Sequence, residues 1–162
     1  SFVMTMDMQM QGPKQNAACA QALGGVVRPG DLLGLRGDLG AGKTAFVQGL
    51  ARGLAVPQEL RVTSPTFTLV NEYRGGRIDL IHADLYRIEN AAELDQLGLY
   101  EACDSGDVVA IEWCEKYPVL PVDHLLITLS VVSETVRRLV AEAHGPTSEA
   151  LLALWESAVA SE

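Results

Sequence analysis

The sequence predicts an α/β fold: a mostly parallel sheet flanked by helices, with an antiparallel hairpin inserted into it. Three observations carry this. The run Asp31-Leu-Leu-Gly-Leu-Arg36 leads into a glycine-rich turn and then a helical pattern. Val108-Val-Ala-Ile111 has the uniform apolarity of a strand buried on both faces. Two strand-like runs, Thr68 to Tyr73 and Arg77 to Ala83, are separated only by Arg74-Gly75-Gly76, a composition that suits a tight hairpin.

Element by element, residues 1–11 are expected to be flexible, and Ser1 to Met4 has the look of a cloning scar. Lys14 to Val27 reads as a helix, opened by Pro13 and closed by Arg28-Pro29-Gly30. In Ala45 to Leu54, Phe46, Leu50 and Leu54 recur every fourth residue and share one helical face. Arg61 to Phe67 is polar and interrupted by Pro65, hence a loop. After the hairpin, Ala91 to Leu97 and Leu99 to Cys103 read as short helices. Leu125 to Val132 and Val136 to Ala143 read as strands joined by Ser133-Glu134-Thr135, and Ser148 to Val159 as a last helix.

Composition narrows the function class. The 162 residues suit a single domain, and a hydrophobic share of 48% excludes a wholly disordered chain. No run of about 18 apolar residues occurs, so no membrane-spanning helix is expected. The first residues lack the basic and apolar regions of a secretory signal. Cys19, Cys103 and Cys114 are odd in number and widely spaced, which argues against a zinc site or disulfide framework and fits a reducing cytoplasm. The net charge of −9 makes the chain a poor stand-alone binder of nucleic acid, because phosphate contacts need clustered Lys and Arg.

Gly37-Asp-Leu-Gly-Ala-Gly-Lys-Thr44 is a complete G-x-x-x-x-G-K-[ST] sequence. Its glycines let the backbone turn tightly and aim N–H groups at a phosphate. The following helix adds its positive N-terminal end. Strand, glycine loop and helix together make the fold P-loop NTPase-like. Asp38, Leu39, Gly40, Ala41, Gly42, Lys43 and Thr44 are therefore the candidate nucleotide-binding residues. Lys43 reaches the β and γ phosphates, and Thr44 offers its hydroxyl to Mg²⁺.

Such a loop needs a carboxylate at the end of a neighbouring strand. Val108-Val-Ala-Ile-Glu112 ends in Glu112, which strand logic puts beside the loop. Arg77-Ile-Asp-Leu-Ile-His-Ala-Asp84 ends in Asp84, which can reach the same metal from the side. Which of the two is the direct ligand stays open. His82 shares a strand face with Asp84 and can orient a water or a carboxylate, or serve structure alone. Thr63-Ser-Pro-Thr-Phe-Thr68 lies where phosphate-loop enzymes place a switch segment, with Thr66 the candidate contact. A turn whose hydroxyls satisfy the backbone is the competing reading.

No Asn/Thr-Lys-x-Asp segment for guanine is present, which leaves ATP by elimination. A small-metabolite kinase would carry several arginines in a lid, and Arg87 is the only arginine between Asp84 and Pro121. A switch ATPase is favoured, with such a kinase as the alternative.

The phosphate loop, Ser64-Pro-Thr-Phe-Thr-Leu-Val-Asn-Glu-Tyr73, His82-Ala-Asp-Leu-Tyr-Arg87 and Ile111-Glu-Trp-Cys-Glu115, in this order, resemble the bacterial TsaE (YjeE) family. The match spans roughly residues 12–145. The resemblance implies a cytoplasmic Mg²⁺-dependent ATPase, slow alone, that supports tRNA threonylcarbamoyladenosine synthesis. It implies the TsaD–TsaB complex as partner, with tRNA met only indirectly. It implies that Lys43 holds phosphates, that Thr44 and Glu112 bind Mg²⁺, that Asp84 assists at the metal or the attacking water, and that Thr66 belongs to the switch. It implies that Trp113 shapes the site and that an arginine of the last strands, Arg137 or Arg138, nears the nucleotide. Ala45 departs from the second threonine that many relatives carry.

Overall fold

A computed structural model describes residues 2–38, 40–65 and 69–161. The strands are β1 Met4–Gln11, β2 Leu32–Arg36, β3 Val70–Tyr73, β4 Leu80–Asp84, β5 Val108–Glu112, β6 His124–Val131 and β7 Val136–His144. The helices are α1 Gly12–Val26, α2 Lys43–Gly53, α3 Ala91–Asp95, α4 Leu99–Cys103 and α5 Pro146–Ala160, with a 3₁₀ turn at Cys114–Lys116. They form one sheet in the order β1-β7-β6-β2-β5-β4-β3. Its centre, β6-β2-β5-β4, is parallel, and antiparallel strands complete both edges.

The expected α/β architecture holds, with one difference. Residues 1–11 were expected to be flexible, but Met4–Gln11 pairs along its whole length with β7, from Met4↔Ala143 to Gln11↔Val136. Its alternation of methionine with polar residues turns one side toward the core, where Met10 is buried. The expected antiparallel hairpin is present as β3–β4, and β4 continues the parallel centre beside β5 while β3 forms that edge of the sheet.

Alternation divides the interior in two. Leu33, Leu35, Val108, Ala110 and Leu80 face the larger core, with α1, α2 and α5. Leu32, Val109, Ile111, Ile81 and Ala83 face a smaller one that includes Leu94 of α3 and Leu99 of α4. On the larger side, α1 and α2 touch through glycines. A Cβ at Gly24 would stand 2.2 Å from Leu50 O, and one at Gly53 2.1 Å from Gln21 O, so neither position admits a side chain without the helices parting.

The C-terminal helix is a cap on this core. Trp155 is fully buried, donates its indole N–H to Cys19 O at 3.0 Å, and meets Phe46 of α2 edge-on at 6.1 Å. Such an aromatic pair contributes about 0.5–1.5 kcal/mol beyond its buried area. Asp123, at the foot of β6, accepts the Thr147 and Ser148 backbone N–H groups, both at 2.9 Å, and the Ser148 hydroxyl at 2.6 Å. The first turn of α5 is thus capped by a residue of another element, which fixes α5 to the sheet. No disulfide joins Cys19, Cys103 or Cys114.

Candidate functional site

The site sits at the C-terminal end of the parallel strands. β2 runs into the glycine loop, and α2 begins at Lys43. Gly42 stands at φ 101°, a left-handed conformation that a side chain would strain. Its carbonyl accepts Phe46 N–H at 2.9 Å and so starts the helix.

Lys43 is buried. Its ammonium donates to the carbonyls of Gly37 and of Asp38, the latter at 3.0 Å, and lies 4.4 Å from the centre of the Trp113 ring. Loop carbonyls and an aromatic face thus hold its charge. Trp113 follows Glu112 directly, in a left-handed conformation at φ 58°, and its N–H reaches Leu35 O at 3.0 Å. Tyr86 packs against it at 5.0 Å between ring centres. Lys116 donates to the carbonyls of Tyr86 at 2.7 Å and Ile88 at 3.1 Å, which ties the turn after β5 to the segment after β4.

Asp84 and Glu112 are register partners at the ends of β4 and β5. Asp84 accepts the Ser64 hydroxyl at 2.7 Å and the Tyr86 backbone N–H at 2.9 Å. Glu112 meets His82 Nε2 at 2.5 Å, with both side chains buried. Burial pushes the neighbouring Cys114 thiol up to about 11, with Glu115 adding to the rise, so it stays protonated and inert at neutral pH.

A cavity of about 420 Å³ joins these groups. Gly40, Gly42, Lys43, Thr44 and Ala45 line it from the loop and α2, and Ser64, Asp84, Tyr86, Arg87, Glu112 and Trp113 from the opposite side. Lys43, Thr44, Asp84 and Glu112, all expected from the sequence, therefore meet in one place. Asp38 and Ala41 belong to the loop but not to the cavity wall. Leu39 and Thr66 lie outside the described residues.

Arg137 and Arg138 are not brought to this cavity. Arg138 is bound to Asp7 of β1 through two hydrogen bonds, and Arg137 donates to Ser133 O at 2.9 Å. Ser64 and Tyr86 were missed in the sequence. Ser64 shares its polar loop with Thr63, Thr66 and Thr68, and nothing in the spacing singled it out among four hydroxyls. Tyr86 carried no periodic signal.

Among the described residues, no group of three His, Cys, Asp or Glu side chains is placed to cage a metal. Two carboxylates and a threonine hydroxyl around one cavity form a sparse, all-oxygen donor set. That suits Mg²⁺, which keeps waters and shares its shell with substrate phosphates. It does not suit zinc, which takes nitrogen and sulfur ligands in closed sites. The loop can take phosphates, Lys43 can neutralise them, and the carboxylates can hold a divalent cation.

Residues 10–139 match the family described as "Threonylcarbamoyl adenosine biosynthesis protein TsaE". A protein of Nostoc sp. named tRNA threonylcarbamoyladenosine biosynthesis protein TsaE is 44% identical over 119 residues, 72% of each chain. The protein of the same name from Bacillus subtilis is 38% identical over 140 residues, 86% of each chain. The crystal structure of B. subtilis YdiB superposes with a TM-score of 0.81 at 30% identity, covering 97% of both chains. No helix among the described residues is long and apolar enough to cross a membrane.

Proposed function

The chain belongs to the TsaE family of threonylcarbamoyl adenosine biosynthesis proteins, and from that premise we propose that it is a Mg²⁺-dependent ATPase supporting threonylcarbamoylation of the adenosine next to the tRNA anticodon. In this reading ATP occupies the 420 Å³ cavity. Lys43 gives up its contacts with Gly37 and Asp38 for phosphate oxygens. Thr44 and Glu112 hold Mg²⁺, and Asp84 holds a water of its shell or the attacking water. Bound Mg²⁺ supplies neutralisation of charge on the phosphate oxygens. The observation that carries the proposal is the convergence of loop lysine, loop hydroxyl and two strand-end carboxylates on one cavity.

The protein acts, in this reading, on the TsaD–TsaB complex and meets tRNA only through it. The charge of −9 supports this, since few basic groups are free to displace counterions from a phosphate backbone. ATP and ADP would order the loop before β3 differently, and so change how the protein sits on its partners.

The test measures ATP hydrolysis alone, with TsaD–TsaB, and with candidate small-molecule acceptors. Stimulation by the protein pair is expected; a phosphorylated metabolite in its place would make the protein a kinase. Lys43→Ala should weaken ATP binding about tenfold or more, since a charge-assisted hydrogen bond contributes about 1.5–3 kcal/mol. Unchanged affinity in a calorimetric titration would remove the loop from the site.

A further inference from the structure

The His82–Glu112 pair lies at this end of the sheet, and the proposed reaction has not used it. Both side chains are buried, His82 completely, and they lie 2.5 Å apart between Nε2 and Oε2. They come from adjacent parallel strands and are offset by one alternate position, since His82 is paired with Ala110 and Asp84 with Glu112. The other ring nitrogen, Nδ1, is buried without a partner among the described residues.

We infer that His82 is a positioning residue: its Nε2–H holds the Glu112 carboxylate by one oxygen and turns the other to the cavity, ready for a divalent cation. This rests on the proposed reading of Glu112 as the Mg²⁺ ligand. A carboxylate only accepts, so the hydrogen bond to it is donated by the ring nitrogen. Oε2 is then engaged, which leaves Oε1 for the cavity that Glu112 lines.

The residue type matters. The rigid ring of a histidine, buried between packed strands, offers its nitrogen to the carboxylate in one fixed direction. Partners that orient a metal ligand in this way usually change metal affinity by 10–100-fold when removed.

The experiment compares His82→Gln with His82→Asn. Glutamine carries its amide N–H about as far from the backbone as histidine Nε2, whereas asparagine falls short. Calorimetry measures ADP affinity across a Mg²⁺ series, which reads metal binding without turnover, and thermal melts report the fold. His82→Asn should need about tenfold more Mg²⁺ for half its effect, and His82→Gln should stay near the unsubstituted protein. If both substitutions lower the melting temperature equally and leave the Mg²⁺ series unmoved, His82 serves the core alone and the inference falls. Glu112→Gln separates the two levels. If it too leaves the Mg²⁺ series unmoved, the reading of Glu112 as ligand fails. If it shifts the series while His82→Asn does not, only the role of His82 fails.

Discussion

Asp84 and Glu112 stand opposite each other on neighbouring strands, yet they are held in opposite ways. Glu112 is anchored inward, by a buried histidine two residues upstream of Asp84. Asp84 is anchored outward, by the Ser64 hydroxyl of a polar loop and by the Tyr86 backbone. One carboxylate is fixed by the core of the sheet; the other is fixed by segments that lie on its surface. The difference teaches a division of labour. A group that must keep one geometry in every state is tied to packed strands. A group that must respond to a partner or to a nucleotide is tied to a loop.

The largest effect should come from Glu112. Glu112→Gln keeps the volume and loses the charge, and should lower ATP hydrolysis by about 10²–10³-fold, the usual result of removing one preorganised electrostatic group. Asp84→Asn should lower it less and should leave the Mg²⁺ requirement closer to normal. Parallel Mg²⁺ titrations of the two variants decide. A Mg²⁺ defect confined to Asp84→Asn would reverse the assignment of inner and outer carboxylate.

Ser64→Ala comes next. It removes one hydroxyl from the Asp84 carboxylate and leaves the Tyr86 N–H in place. A hydrogen bond to a charged group contributes about 1.5–3 kcal/mol, so hydrolysis should fall about tenfold or somewhat more. Stimulation by TsaD–TsaB should fall further than the basal rate, because the loop would no longer reach the carboxylate. Equal loss of both rates would show that Ser64 supports Asp84 without coupling it to anything.

How these features read in the sequence follows from the same contrast. The phosphate loop was legible because its chemistry demands contiguous residues, and β5 because a strand buried on both faces is uniformly apolar. The strand-end positions of Asp84 and Glu112 followed from where those runs stop. The pairing of His82 with Glu112 was not legible, because it depends on the register between two strands, which neither strand encodes alone. β1 was overlooked for a different reason. Its alternating Met-Thr-Met-Asp-Met has the period of a strand, but it lacks the β-branched and aromatic residues that usually mark one. Arg137 and Arg138 rested on the family resemblance alone, and Arg138 is taken up by Asp7 of that same overlooked strand.

A third carboxylate provides the baseline for the comparison, because Asp123 touches neither the cavity nor the loop. Among the described residues its hydrogen bonds go to the first turn of α5. Burial pushes its carboxyl up, but the hydrogen bonds from Ser148 and Thr147 outweigh that and hold it below the usual 3.8. Asp123→Ala should therefore lower stability by about 1 kcal/mol, the ordinary contribution of a helix cap, and leave the Mg²⁺ series unchanged. The sign of the pH effect follows from the depressed value. The unfolded chain takes up the proton first, so the cap contributes fully at neutral pH and its contribution shrinks as pH falls below 3.8 through the folded value. Urea midpoints of the two proteins should differ at pH 7 and approach each other toward pH 3. A difference that stayed constant over that range would mean that Asp123 acts through packing rather than charge. A shift in Mg²⁺ dependence would mean that α5 and the cavity are coupled, and a purely structural carboxylate would no longer be available as a reference for Asp84 and Glu112.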